Sequence, residues 1–136
     1  MDYRLELVLI PVSDVDRAKR FYLEKAGFAL DVDMPINDGM RIVQMTPRGS
    51  PCSIGFGTGV TEAAPGSAQG LHLVVSDIVA ARGELTARQL EVSDVRHLES
   101  GQWVPGPHPR RGNYESFADF TDPDGNIWVL QEVNRT

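Results

Sequence analysis

The sequence predicts an α+β fold made of two similar modules, because one strand-to-helix motif occurs twice. Residues 12–18 read Val-Ser-Asp-Val-Asp-Arg-Ala and residues 75–81 read Val-Ser-Asp-Ile-Val-Ala-Ala, with four identities and one Val/Ile exchange. Each copy follows an apolar run typical of a strand and opens a stretch in which apolar residues have helical spacing. Such a repeat indicates two half-domains, and a cleft between two facing copies is where a small molecule would bind.

Local patterns place the elements of the first module. The run at residues 3–12 is mostly apolar and is predicted as a central strand. Ser13 or Asp14 can cap the helix that follows, and Gly27 is suited to end it. Three further strands are predicted at residues 28–32, 41–46 and 53–56.

The second module repeats this order after residues 58–69, which have the Gly, Ala, Ser and Pro content of a linker. A long loop is expected at residues 100–112, because three prolines and three glycines fall there. The other predicted elements are a strand at 71–75, a helix from a Ser76 cap to about Gln89, a strand at 91–97 and a hairpin of 114–121 with 127–133. The predicted organisation is one domain over residues 1–136, with module 1 at about 3–57, the linker at 58–69 and module 2 at about 70–134.

Composition limits the classes of partner. A formal charge of −6 argues against nucleic acid, which requires a basic face. No apolar run approaches the ~20 residues that a membrane-spanning helix needs, so no membrane partner is expected. The N-terminus lacks the basic-then-apolar pattern of a signal peptide, and the single Cys52 rules out an internal disulfide framework. Both features favour a cytoplasmic location.

Four motifs in order resemble the vicinal oxygen chelate superfamily. They are the two Val-Ser-Asp units, Phe21-Tyr22 followed by Gly27-Phe28, and the turn Asp-Pro-Asp-Gly-Asn at residues 122–126. This superfamily includes glyoxalase I, extradiol dioxygenases, fosfomycin-resistance enzymes and bleomycin-resistance proteins. The resemblance covers essentially the whole chain and implies a glyoxalase-like fold, in which two βαβββ modules form cup-shaped mixed sheets. It also implies a homodimer, but it does not fix the function, because the superfamily contains both enzymes and plain binders.

The resemblance also locates the positions that hold a divalent metal in metal-using members. Those members carry His or Glu on the first strand of each module and Glu on the last strand. In this chain the corresponding positions are Leu7, Gly70 and Val129. Leu and Val side chains have no donor atom and Gly has no side chain, so none of the three can bind a metal. No metal and no other cofactor is therefore expected at the usual site.

Strand alternation selects the candidate ligand-binding residues. His72 lies two residues after Gly70 and Gln131 two residues after Val129, so each shares a face with its partner. The lining of the cup is expected to be apolar and to include Leu7, Leu9, Ile127 and Val129, with Met40, Met45 and Phe56 as further candidates. His72 is the one candidate for catalysis, and it can also be interpreted as a strand histidine satisfied by a neighbour.

The predicted loop at residues 100–112 offers a second set of candidates. Trp103 presents a flat apolar surface, while His108, Arg110 and Arg111 could meet an anionic or carbonyl-rich ligand. Long irregular loops on rigid scaffolds often serve as lids. A solvated surface loop, whose arginines pair with the acidic surface, explains the same residues equally well.

These observations favour a metal-independent, bleomycin-resistance-like protein that binds a small, largely apolar organic ligand. The candidate ligand-binding residues are Leu7, Leu9, His72, Trp103, Arg110, Val129 and Gln131. One alternative is a metal-dependent or metal-free glyoxalase- or dioxygenase-type enzyme with a displaced site around His72, helped by His97, His108 or a carboxylate. Another is a regulatory protein that keeps the fold without a pocket.

Overall fold

The computed structural model describes residues 1–134 and contains two mixed β-sheets with few helices. The predicted α+β class is confirmed. Residues 135 and 136, which the predicted domain included, lie outside the described part of the chain. By contact density the chain divides into two compact units. Unit 1 is Met1–Ala68 with Asp122–Asn126, and unit 2 is Gln69–Thr121 with the chain from Ile127 onward.

Unit 1 contains a four-stranded sheet. Its elements are β1 (Leu7–Leu9), α1 (Val15–Arg20), a π-helical turn (Phe21–Lys25), β2 (Ala29–Asn37), β3 (Met40–Thr46) and β4 (Ser53–Thr58). The strand order is β1-β4-β3-β2, with β1 parallel to β4 and the other pairs antiparallel. The strand predicted at residues 3–12 is much shorter, because β1 lies at the edge of the sheet and pairs, within the described residues, with β4 alone, which begins opposite Leu7.

The predicted helix start in unit 1 is confirmed at Asp14. Its side chain accepts a hydrogen bond from the Arg17 N–H at 3.0 Å, which satisfies one of the free donors of the first turn. The core lies between α1 and the sheet. Its centre is the fully buried Tyr22, whose ring lies 5.8 Å from that of Phe56.

Unit 2 contains a five-stranded sheet. Its elements are β5 (Leu71–Val75), α2 (Ile78–Ala87), β6 (Arg96–Glu99), β7 (Gln102–Pro105), β8 (Ser116–Thr121) and β9 (Ile127–Glu132). The order is β5-β9-β8-β6-β7, with β5 parallel to β9 and the rest antiparallel. Asp77 rather than the predicted Ser76 caps α2, since its carboxylate accepts the N–H groups of Val79 and Ala80.

The prediction of a loop throughout residues 100–112 is wrong, because β7 lies inside it. Ser100 and Gly101 both have positive φ angles, of 50° and 78°, and together they reverse the chain tightly after β6. The residues that follow, Trp103 and Val104, are good strand formers and pair with β6. The prolines and glycines that suggested a loop begin to dominate only after this hairpin.

Candidate functional site

The sheet of unit 2 has one buried face and one open face. On β9, Trp128, Leu130 and Glu132 are buried, whereas Val129 and Gln131 are half-buried and point the other way. Residues opposite each other on paired strands share a face, so the register extends both faces across the sheet. The residues on the open face of unit 2 include His72, Val74, Arg96, Leu98, Trp103, Phe117, Asp119, Ile127, Val129 and Gln131.

An aromatic cluster occupies the β6–β7–β8 side of this open face. The Trp103 indole remains 53% exposed and meets the Phe117 ring in an edge-on contact, with ring centres 5.7 Å apart. The Arg96 guanidinium lies over the Trp103 ring, 4.8 Å from its centre. Asp119 and Ser93 hold that guanidinium in place by hydrogen bonds of 3.2 and 3.3 Å. The cluster is therefore a supported aromatic surface rather than a loose side chain.

The opposite side of the open face has two polar side chains, those of His72 and Gln131. His72 lies on β5 opposite Val129, and Val74 lies opposite Gln131. His72 is exposed, and its Nδ1 lies 2.6 Å from the carbonyl oxygen of Gly70, so that nitrogen carries the proton and donates. The other ring nitrogen, Nε2, and the side-chain amide of Gln131 are the polar groups that this side of the face offers to a ligand.

A pocket of about 180 Å³ opens beside the aromatic cluster. It is lined by Leu98, His108, Arg110, Tyr114, Glu115 and Phe117. Two of these residues, Leu98 and Phe117, also belong to the open face. Arg110 binds Glu115 through Nε and Nη2, at 3.0 and 2.7 Å. These hydrogen bonds hold the pKa of the Glu115 carboxyl below its usual value and raise that of Arg110.

The other loop arginine, Arg111, is committed to the fold. Its guanidinium binds the buried carboxylate of Glu132 at 3.0 and 2.7 Å and also reaches Asp77 at 3.1 Å. Glu132 is 2% exposed and accepts the N–H of Ile78 as well. The hydrogen bonds from Arg111 lower the pKa of the Glu132 carboxyl despite its burial. Arg111 thus ties the loop to β9 and to the start of α2.

His97 lies on the buried face of the same sheet. His97 is 3% exposed, with Nδ1 2.6 Å from the carbonyl oxygen of Gly106 and Nε2 3.1 Å from a carboxylate oxygen of Glu99. Both partners only accept, so the doubly protonated ring satisfies them best, and these bonds raise the pKa of His97. His72 and His97 occupy opposite faces of the sheet, so they cannot form the displaced catalytic pair that the sequence suggested as an alternative.

Unit 1 contains the two other sequence candidates, Leu7 and Leu9. Both side chains lie over Gly55 of β4, where a methyl group would come within 3.1 Å of Leu7 and 3.2 Å of Leu9. The absence of a side chain at Gly55 lets both leucines pack against the sheet while keeping part of their apolar surface accessible. Two further candidates, Met45 and Phe56, point to the opposite face and are fully buried in the core.

The donor set does not fit a catalytic metal at the superfamily's usual positions. Leu7, Gly70 and Val129 stand there and supply no oxygen, nitrogen or sulfur from a side chain. Within residues 1–134, no group of three or more His, Cys, Asp or Glu side chains is arranged to hold a metal ion.

Three important open-face residues were missed at the sequence level: Arg96, Phe117 and Asp119. Alternation along the predicted strand at 114–121 would have placed Phe117 and Asp119 on one face together. No local signal places Arg96, because its orientation depends on its pairing with Phe117. Of the predicted residues, His72, Trp103, Val129 and Gln131 share the open face, whereas Arg110 lines the adjoining pocket.

The fold and motifs define a member of a known family. Residues 4–130 match the model of the Glyoxalase/Bleomycin resistance protein/Dioxygenase superfamily, and the chain belongs to this superfamily. The predicted family and the glyoxalase-like fold are thereby confirmed.

Two solved structures and one sequence relative are similar to this chain over most of its length. The chain is 31% identical to TnmS3, an antibiotic binding protein from Streptomyces sp. CB03234, with a TM-score of 0.75 and 97% of each chain covered. A glyoxalase/bleomycin resistance protein from the same organism is 33% identical, with a TM-score of 0.71, covering 94% of this chain and 99% of that one. The uncharacterised protein YetH of Bacillus subtilis strain 168 is 24% identical over 127 residues, which cover 92% of this chain and 94% of YetH. Among residues 1–134, no helix is both long and apolar enough to cross a membrane.

Proposed function

We propose that the protein binds a small, largely apolar organic molecule on the open face of unit 2, without a metal and without chemical conversion. The main support for this proposal is the exposure of apolar side chains on that face. The open face of unit 2, which the helix of its own unit does not cover, presents the exposed apolar side chains Val74, Leu98 and Trp103. Four polar side chains, those of His72, Arg96, Asp119 and Gln131, lie among the apolar ones. A largely apolar surface with a small number of oriented polar groups is typical of sites for small organic ligands.

Five of the seven predicted ligand-binding residues lie on this face or beside it. Trp103 supplies a flat surface and Val129 an apolar floor, while His72 and Gln131 donate and accept hydrogen bonds that orient the ligand. Arg110 contributes through the adjoining pocket, where its charge is balanced by Glu115. In unit 1, Leu7 and Leu9 offer a second apolar surface with no ionisable group of their own.

The relatives support binding as the function. TnmS3 is described as an antibiotic binding protein, and another relative of similar identity belongs to the glyoxalase/bleomycin resistance group. Metal independence is supported by the donor chemistry at Leu7, Gly70 and Val129 rather than by the relatives. The division into modules at 3–57 and 70–134, the homodimer and the cytoplasmic location stay predictions, and size measurement in solution tests the dimer.

Two matched valines allow a direct test. Val74 lies on the open face and is 45% exposed, while Val79 lies on α2 of the same unit and is 51% exposed. The probe is N-phenyl-1-naphthylamine, a neutral fluorophore whose emission rises when it leaves water, in buffer with a chelator. Val74→Lys places a charge on the open face and should weaken probe binding at least tenfold, whereas Val79→Lys should not change it. Equal affinities for the two variants, or no saturable binding by the unmodified protein, would contradict the proposal.

Alanine variants test the individual roles. Trp103→Ala should weaken binding of the same probe, because the aromatic surface is lost. His72→Ala should leave an apolar probe largely unaffected and weaken ligands that carry a hydrogen-bonding group. Unchanged affinity for both kinds of ligand in His72→Ala would remove His72 from the site.

A further inference from the structure

The Arg96 guanidinium, which lies over the Trp103 ring, affects which ligand charges this face can bind. An indole ring attracts cations to its face, and exposed aromatic rings often bind ammonium groups for this reason. In this protein one face of the Trp103 ring already carries the Arg96 guanidinium, 4.8 Å from the ring centre. The guanidinium is planar and permanently charged, so it occupies this position at every physiological pH.

We propose that Arg96 acts as a positioning residue that makes the Trp103 surface select neutral or anionic planar rings over cationic ones. This inference rests on the proposed function and specifies the ligand class at the same face. Two effects act together. Arg96 already occupies one face of the indole, to which a cationic ligand would otherwise be attracted. Its charge also repels a second cation stacked on the exposed remainder of the ring.

The surrounding charges do not cancel this effect. Asp119 pairs with Arg96 at 3.2 Å and reduces its field at a distance, but the guanidinium is the charged group that contacts the indole. The chain as a whole has a formal charge of −6, which by itself would favour cationic ligands. The local arrangement and the net charge therefore predict opposite preferences, and an experiment can separate them.

Arg96 also fixes where the indole lies. Ser93 and Asp119 hold the guanidinium from two directions, and Phe117 meets the indole edge-on. Trp103 is on the edge strand β7, which among residues 1–134 pairs with β6 alone, so strand pairing gives it little restraint. The stacked guanidinium compensates for this by restricting the rotamers of the indole.

The chain offers a clean readout, because it has two tryptophans of opposite exposure. Trp103 is 53% exposed, whereas Trp128 is 2% exposed on the buried face. Their indole N–H signals in a ¹H–¹⁵N correlation spectrum report the open face and the core separately. The probes are 2-naphthol, which is neutral at pH 7, and 1-methylquinolinium, a cation of the same two-ring size.

The unmodified protein should bind 2-naphthol about tenfold more tightly than 1-methylquinolinium, as followed by the Trp103 signal at constant Trp128 signal. Arg96→Gln keeps hydrogen-bonding atoms but removes the charge, and the ratio should fall to about one or reverse. Arg96→Lys keeps the charge and should keep the preference while shifting the Trp103 signal. Arg48→Gln removes an equal charge from an exposed turn of unit 1 and should leave the ratio unchanged.

Several results would overturn the inference. They are a preference for 1-methylquinolinium in the unmodified protein, an unchanged ratio in Arg96→Gln, or no effect of either probe on Trp103. If Arg96→Gln fails to fold, Asp119→Asn replaces it, since an unpaired Arg96 should increase the ratio, and an equal or smaller ratio contradicts the inference. If one of these results is obtained but N-phenyl-1-naphthylamine still binds and Val74→Lys still weakens that binding, the proposed function remains supported. Loss of that binding as well would remove both.

Discussion

Replacing Arg111 with Met should destabilise the protein far more than its exposed position suggests. Arg111 makes two hydrogen bonds to Glu132, and its removal leaves that 2%-exposed carboxylate with the N–H of Ile78 as its remaining donor. Breaking one side of a fully buried ion pair costs ~3–5 kcal/mol. The Arg111 side chain is 40% exposed, so water partly screens the pair, and we expect about 2–3 kcal/mol.

Met is the appropriate replacement for Arg111 because of the backbone. Arg111 has a φ of 51°, a strained angle that glycine would relieve, which would obscure the loss of the ion pair. Met keeps the strain and most of the apolar stem. Urea denaturation followed by circular dichroism should show a midpoint lower by about 1 M.

Two further variants complete the Arg111 experiment. Arg110→Met changes the neighbouring arginine, which is 74% exposed, and its midpoint should move much less. Glu132→Gln in the Arg111→Met background removes the unpaired charge and should recover part of the lost stability, because the two residues form one network. A midpoint for Arg111→Met equal to that of the unmodified protein would show that Glu132 is solvated or protonated. The Arg111–Glu132 pair would then not be a major source of stability.

Two other predictions concern pH and packing. The pKa of His97 is raised in the folded state by the Gly106 carbonyl and by Glu99, so its stabilising contribution is complete below the unfolded pKa of about 6.5 and is lost as pH rises through the folded pKa. Thermal melts from pH 5.5 to 9 should therefore show the gap between the unmodified protein and His97→Gln closing at high pH, and a constant gap contradicts this. Gly57→Ala should prevent normal folding, because a methyl group there would overlap the carbonyl oxygen of Arg41 in the paired strand. Soluble expression with an unchanged melting temperature would show that this strand pairing is wrong.

Local signals in the sequence were sufficient for the elements that local chemistry determines. The Ser-Asp motif marks both helix starts because a short polar side chain there satisfies free backbone donors. The strand at residues 71–75 matches β5, since an apolar run bounded by Gly70 and a helix cap leaves little choice of limits. Alternation along β5 and β9 then placed His72 beside Val129 and Gln131 correctly.

Features that depend on long-range pairing could not be obtained in the same way. A shift of one residue in strand register reverses every side chain, so Met45 and Phe56 were assigned to the wrong face of β3 and β4. The same dependence hid Arg96, whose face is set by its pairing with Phe117. Trp103 was recognised as a candidate, but its strand is held only by β6 and leaves no periodic pattern of its own.

The open face of unit 2 is proposed to bind an apolar molecule without a metal. The most direct test is a titration of chelator-treated protein with N-phenyl-1-naphthylamine, repeated after addition of Mn²⁺, Fe²⁺, Zn²⁺, Ni²⁺ or Mg²⁺, together with the metal content of the purified protein. We predict saturable binding with the same affinity under all conditions and far less than one metal ion per chain. Binding that appears only with one metal ion, or near-stoichiometric metal in the purified protein, would contradict metal-independent binding.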